Sequence, residues 1–307
     1  MPANFQHKLT IDTATLISQG KMRSDCGDLR FYKPDGTMLS YWIERGCNTS
    51  NTIVWVLDPD ALNPNQSHNI YMYYGNPRQT SLSNPKSVWI FFEDFEGSRD
   101  PNWVDGAYAS GKYEYASPGL YDNYRLHFKT GRSSGVFDNI FWKGQTFSNL
   151  RFVALVRADY SDDDSGVFFR SDGKEAGSSY NLNAGYKVTI PRAGNQYFIL
   201  AKISGGSATS LASFSATNTT DIVRIEIKAY GSQLVAIIER PVGTYLGTLS
   251  ANDTSFTSGY IGLSAPEWDS NRNPSFDMFC VGNYVYPEPS VTISTTEERV
   301  GRYPDYV

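Results

Sequence analysis

Apolar residues in this chain come in short alternating runs, and hardly any segment carries the 3.6-residue period of an amphipathic helix. Leu29–Tyr32, Leu39–Ile43, Thr52–Leu57 and Asn69–Tyr74 are such runs, each followed by turn-forming residues such as Pro34-Asp35-Gly36. Successive side chains of a strand point to opposite faces, so these runs predict half-buried strands with one packed and one wet face. The spacing excludes a helical bundle and points to an all-β chain. A single helical turn is expected at Asp58–Leu62, ahead of Pro64.

From Val88 onward the pattern continues at larger scale. Runs at Leu150–Arg157, Gly166–Arg170, Tyr180–Ile190, Tyr197–Ile203, Asp221–Ala229, Leu234–Arg240 and Gly259–Ala265 supply strands for two packed antiparallel sheets. Val223, Ile225, Ile227 and Ala229 alternate with Arg224, Glu226, Lys228 and Tyr230, which predicts one core face and one solvent face. Phe276–Tyr286 reads as a closing strand. After Pro287 the pattern changes: Val291–Thr296 has strand propensity without an obvious partner. The expected organisation is a small β-sandwich-like domain at 1–90, an antiparallel sandwich at 91–286, and a tail at 287–307 that frays or lends a strand to a neighbour.

The 307 residues carry a net charge of −5 with scattered basic residues, which argues against nucleic acid or an anionic membrane as partner. No stretch approaches the ~20 apolar residues of a membrane helix. The first nine residues lack the apolar core of a signal peptide. Cys26 and Cys47 could meet across neighbouring strands, leaving Cys280 free; the plainer expectation is three buried thiols.

The segments Arg23-Ser24-Asp25-Cys26-Gly27-Asp28-Leu29-Arg30-Phe31, Asp35-Gly36, Tyr41-Trp42-Ile43-Glu44, Val54-Trp55-Val56 and Tyr71-Met72-Tyr73-Tyr74-Gly75-Asn76-Pro77 together resemble the DUF2341 family. The resemblance implies a secreted or surface-displayed setting. It also implies a concanavalin A-like or laminin-G-like jelly roll after the first ninety residues. Phe92-Glu93-Asp94-Phe95, Gly259-Tyr260-Ile261-Gly262-Leu263 and Val281-Gly282-Asn283-Tyr284 look like opening and closing strands of that jelly roll. It implies no reaction.

Two acidic groups are candidate calcium ligands, because hard cations take carboxylate and carbonyl oxygens. One is Glu93, Asp94 and Glu96 with Asp277, which neighbouring first and last strands would bring together; the other is Asp162 and Asp164. A sugar's apolar face stacks on aromatic rings flanked by polar side chains. Trp268, in a polar loop with Asp269, Asn271 and Arg272, is the leading candidate, followed by Trp103, Tyr121 and Tyr124. Trp42, Trp55, Trp89 and Trp142 are expected in the core.

Catalytic patterns are scarce. His7, His68 and His127 lack metal-ligand spacing, and there is no Gly-x-Ser-x-Gly elbow and no phosphate loop. Glu175, Glu226 and Glu239 are unranked candidates for a paired-carboxylate hydrolase, and His127 with Tyr124 and Arg125 for a lyase. The sequence therefore predicts non-catalytic recognition of a polysaccharide or glycoconjugate glycan by an extracellular or surface protein, with a structural Ca²⁺. The alternatives are a subunit of an extracellular filament, sheath or virion appendage that associates through its tail, and a carbohydrate-active enzyme.

Overall fold

The computed structural model describes residues 1–107, 109–129, 136–158, 165–177, 181–191, 196–217, 220–267, 273–294 and 296–298. The first elements are β1 (Phe5–Ile11), α1 (Thr13–Ser18), β2 (Arg30–Tyr32), β3 (Met38–Leu39), β4 (Tyr41–Arg45), β5 (Thr52–Asp58) and β6 (Tyr71–Tyr73). Then come β7 (Phe91–Glu93), β8 (Trp103–Asp105), β9 (Tyr113–Ala116), β10 (Arg125–Phe128), β11 (Val136–Phe147) and β12 (Leu150–Arg157). Next are β13 (Gly166–Ser171), β14 (Glu175–Ala176), β15 (Asn181–Leu182), β16 (Ala184–Thr189), β17 (Tyr197–Ser204) and β18 (Ser207–Ser215). The last are β19 (Val223–Tyr230), β20 (Gln233–Glu239), β21 (Tyr245–Asn252), β22 (Gly259–Glu267) and β23 (Ser275–Asn283).

These strands build a small β-sandwich and a larger one, all of whose ladders are antiparallel. An eight-stranded sheet runs β21-β20-β19-β12-β23-β10-β9, with β7 also on β23, and a seven-stranded sheet runs β18-β17-β16-β13-β22-β11-β8. Their facing sides form one core: Phe152, Ala154, Ile225, Ile227, Ala236 and Phe279 from the first meet Ile140, Val167, Phe169, Val188, Leu200 and Leu263 from the second. The smaller sheets are β1-β5-β4, β3-β2-β6 and the two-stranded β14-β15.

The β1-β5-β4 sheet is buried on both sides, which explains the nearly continuous apolar run of β5. Val54 and Val56 face Ile11, Cys26, Leu29, Phe31 and Leu39. Ile53 and Trp55, with Trp42, Trp89 and Phe92, pack instead on Val153, Leu155, Met278 and Cys280, the outer side of the eight-stranded sheet. Four of the five sheets are thus stacked in layers.

That stacking corrects the expectation for β19. Val223, Ile225, Ile227 and Ala229 do enter the core, but the opposite side is not wet: Arg224 and Glu226 are buried beneath the N-terminal sheet. Charge complementarity makes this burial tolerable. Arg224 donates from Nε and Nη2 to Glu44 at 2.8 and 3.2 Å, and from Nη1 to Glu226 at 3.0 Å. Arg151 lies 3.2 Å from Glu226 and 5.0 Å from the Trp55 ring centroid. Lys8 and Lys228 approach Glu226, Arg45 pairs with Glu239 at 2.9 Å, and Glu288 pairs with Arg151 and Lys228. The surrounding cations hold Glu44 below the usual carboxylate range, and Glu226 well below it, against the opposing effect of burial.

The residues that carried the family resemblance have structural work. Asp28, buried, accepts from the backbone N–H of Gly75 at 2.7 Å and of Arg23. Arg30 donates to the carbonyls of Gly27, Leu29 and Thr80 and to Gln79, tying the 76–80 turn to β2. Gly75 sits at φ +99°, a left-handed backbone that favours glycine. Cys26 and Cys47 are joined by a disulfide with Cα atoms 6.1 Å apart, against the expectation of three free thiols; Cys280 is the buried free cysteine.

Asp58–Leu62 forms no helical turn, because Asp58 still belongs to β5 and pairs with Phe5. The helix α1 lies instead at Thr13–Ser18, where Asp12 accepts from the Thr15 N–H at the N-cap. In the tail, the described residues after Pro287 form no strand. Glu288 is tied to Arg151 and Lys228, and Glu297 accepts from the Tyr74 hydroxyl at 2.5 Å and from Lys21.

Candidate binding face and acidic cluster

Core membership fixes which side chains of the seven-stranded sheet face outward. On β11 the core takes Ile140 and Trp142, so Phe137, Asn139 and Phe141 lie on the outer side; the same alternation turns out Ser264, Phe168 and Lys187. Half of this face is capped. Leu182 on β15 packs over Phe141, Phe168, Ala201 and Ile203. A Cβ at Gly262 would fall 2.3 Å from the Phe168 ring, so glycine is required for this packing.

In the other half Asn139 and Ser264 are fully buried and Lys187 nearly so, while Phe137 is partly exposed. Lys187, buried, donates from Nζ to Ser264 Oγ at 2.9 Å and lies 4.5 Å from the Phe137 ring centroid. Asn139 donates to Glu175 at 3.0 Å, and Glu175 also accepts from the Ala107 N–H at 2.9 Å. Asn139 pairs with Ser264 across the ladder, which places these groups in one strip.

The strip leads to a rim of neighbouring strand ends. Val136 opens β11 opposite Glu267, which ends β22, and Gly166 opens β13 opposite both Ser264 and Thr189. On the other sheet Arg157, ending β12, pairs with Ser275, opening β23. Residues 159–164 and 268–272 therefore both join the same two sheets between paired strands. Asp162, Asp164, Trp268, Asp269, Asn271 and Arg272 themselves lie outside the described residues.

The first acidic group lies elsewhere, beside β7. A cavity of about 340 Å³ is lined by Lys86, Phe92, Glu93, Asp94, Glu96, Ser98, Arg99 and Asp100. Glu93, buried, accepts from the N–H groups of Phe95 and Asp100 and from Trp103 Nε1, cinching the loop it begins. Glu96 accepts from Asn123 and the Tyr124 N–H. Asp94 is 3.8 Å from Lys86. Asp277, fully buried on β23, accepts from the N–H groups of Leu120, Tyr121 and Met278.

Asp122, which the sequence did not single out, interacts with Glu96, Asp94 and Asp277. Desolvation, then the neighbouring acids, push Asp122 up to about 7. Burial pushes Asp277 up to about 8, and raises Glu93 as well. An acidic group of oxygen donors, in which burial and neighbouring acids raise Asp122 to about 7, is chemistry that fits a hard dication.

The remaining aromatic candidates divide. Trp103 is buried with its ring against Phe91, Phe95 and Phe279, so it offers no face to a ligand. Tyr121 is half-buried against the N-terminal sheet, where its hydroxyl accepts from Trp42 Nε1 at 2.8 Å. Tyr124 is 41% exposed. Trp42, Trp55, Trp89 and Trp142 are all buried, as expected. Glu226 and Glu239 are held by Arg224, and His127 and Arg125 both contact Ser275 Oγ at 3.0 Å.

The model of a family described as a domain of unknown function, DUF2341, matches residues 25–105, ending with β8. Among solved structures, the exoplasmic/lumenal domain of VIP36 in its Ca²⁺/Man2-bound form is similar at 12% identity and a TM-score of 0.49. The match covers 64% of this chain and 88% of that one. A galectin-like protein of unknown function from Bacillus subtilis is similar at 12% identity and TM-score 0.45, over 64% and 96% of the two chains. A legume lectin-like domain from Entamoeba histolytica follows at 11% and 0.46, over 60% and 91%. Scores this low carry no functional reading, and the fold rests on the strand order above. No curated protein matches the chain in sequence. Among the described residues no helix is long and apolar enough to cross a membrane.

Proposed function

We propose that this protein is a non-catalytic recognition module that binds polysaccharide or glycoconjugate glycans on the outer face of its seven-stranded sheet, outside the cell. The observation that carries the reading is the junction of that face with its rim. Phe137, partly exposed above buried Asn139, Lys187 and Ser264, lies beside the paired strand ends flanking 159–164 and 268–272. A ring face beside segments rich in hydrogen-bonding side chains suits a sugar's alternating C–H and hydroxyl surfaces. In this reading Trp268 supplies the principal platform, with Asp269, Asn271 and Arg272 beside it, Asp162 and Asp164 act at the same rim, and Tyr124 remains a peripheral contact. The opposite, outer face of the eight-stranded sheet is covered by the N-terminal sheet. The Cys26–Cys47 disulfide supports an oxidising, extracellular setting.

A structural Ca²⁺ belongs to the acidic group beside β7, where Asp94, Glu96 and Asp122 offer oxygens and Glu93 and Asp277 shape the loops around them. Division of the chain near residue 90 into an N-terminal unit and a ligand-bearing sandwich completes the proposal.

A glycan array probed with the whole chain in calcium-containing buffer tests the reading. Saturable binding to one sugar class, lost in Trp268→Ala and weakened in Phe137→Ala, is expected. A blank array from well-folded protein, or binding indifferent to both substitutions, overturns it. The structural reading has one observation in its favour: Val291 and Ile293 are 45% and 44% exposed in a tail segment with no strand partner among the described residues. Self-association in light scattering that disappears when 289–307 are removed would select it.

A further inference from the structure

A second cluster of distinct chemistry lies at the edge of the N-terminal sheet. Asp58 closes β5 with its side chain buried. Its Oδ2 is 2.7 Å from His68 Nε2 and 3.3 Å from His7 Nε2, and its Oδ1 accepts from the Asp60 N–H at 3.0 Å. One donor atom from each of Asp58, Asp60 and His68 falls within 4.8 Å of the other two. We infer that Asp58, Asp60 and His68 form a binding site for a divalent transition-metal ion of the Zn²⁺ class.

The donor set decides the class. An imidazole nitrogen with two carboxylate oxygens suits Zn²⁺ and its neighbours, whereas Ca²⁺ takes oxygen donors almost exclusively. The Asp60 and His68 side chains are 40% and 26% exposed, so the ion can enter from solvent and keep water in its remaining positions. His68 binds as neutral imidazole with its proton on Nδ1. The ion would lie between His68 Nε2 and Asp58 Oδ2, now 2.7 Å apart.

His7 is a positioning residue. It is 9% exposed on β1, and its Nδ1 is buried with no hydrogen-bond partner among the described residues. The ring is thereby set to carry its proton on Nε2 and donate to Asp58, fixing the carboxylate as outer hydrogen bonds fix metal ligands. Lys33 is the internal competitor, its Nζ 3.0 Å from Asp60. The three ligands lie close together in sequence, between residues 58 and 68, but only the β1–β5 pairing brings His7 to Asp58.

Titration calorimetry of the whole chain with Zn²⁺, in excess Ca²⁺ to fill hard-cation sites, tests the inference. One equivalent should bind. His68→Ala and Asp60→Asn should each weaken binding by more than about tenfold, and Lys33→Met should tighten it. Co²⁺ should give visible ligand-field absorption that His68→Ala removes. Both weakening substitutions are at partly exposed side chains, and unchanged thermal melting without metal will show that the fold survives. Absence of saturable Zn²⁺ binding, or binding of undiminished affinity in both variants, overturns the site.

Discussion

The buried ionic layer between the N-terminal sheet and the sandwich is the place to perturb cohesion, and Glu44→Gln is the sharpest change. Glu44 is the carboxylate by which the N-terminal sheet grips Arg224, at 2.8 and 3.2 Å, while its Oε2 also accepts from Trp55 Nε1 at 2.6 Å. The layer holds Lys8, Arg45, Arg151, Arg224 and Lys228 against Glu44, Glu226, Glu239 and Glu288, one cation in excess. Removing a carboxylate therefore deepens an existing imbalance where water cannot screen it. Breaking one member of a buried pair costs about 3–5 kcal/mol. At about 2 °C per kcal/mol for a chain of this size, the Tm should fall by about 6–10 °C in calorimetry or circular dichroism. The double variant Glu44→Gln/Arg224→Met should lose less than the sum of its parts, with a coupling of at least about 1 kcal/mol. A fall of less than about 2 °C, or strict additivity in the double variant, would refute the reasoning that this layer binds the two halves.

Acidity should act on the same layer. Glu44 and Glu226 have folded values below their ordinary 4.5, so their contribution is complete above that pH and disappears as pH falls through the folded values; a Tm unchanged from pH 6 to pH 3 would contradict this. Asp277 and Asp122 run the other way. Their values, raised to about 8 and about 7 from 3.8, give stability that is complete below 3.8 and is lost as pH rises toward 8. The Tm of calcium-free protein should decline across that window more than that of Asp277→Asn, and Ca²⁺ should restore it. Reducing the Cys26–Cys47 disulfide, which spans 21 residues, should cost about 3 kcal/mol by loop entropy, measured as the urea midpoint with and without reductant. In the tail, Glu288→Gln should destabilise more than Glu297→Ala, because Glu288 partners fully buried Arg151 while Glu297 meets exposed Lys21; equal melting curves would count against this.

Strand periodicity made much of the fold legible. The alternation of Val223–Ala229 assigned the correct residues to the core, and the aromatic landmarks at Trp42, Trp55 and Trp89 were placed inside. What periodicity could not show is a second covering layer. Arg224 and Glu226 look wet because charged residues usually are, and only the paired charges of another sheet make their burial possible. Helix α1 escaped notice because its six residues are too few to display a period, although Asp12 with Thr15 was an available cap signal. Trp103 looked like a platform from its polar neighbours, yet Glu93 draws its indole inward. Beneath the candidate face, buried Lys187, Asn139 and Ser264 passed unremarked among strand residues. Their significance depends on register between strands distant in sequence.

The four-sheet stack has a direction. Its N-terminal layers occupy one side of the sandwich, and the strip from Phe137 to Lys187 lies on the side turned away from them. Any attachment made through the N-terminal layers orients every copy alike, with the seven-stranded sheet facing outward and the ionic layer screened from whatever docks there. Variation in that outward face can therefore proceed without loosening the contacts that hold the halves together, much as the head of a tool can be exchanged on an unchanged handle.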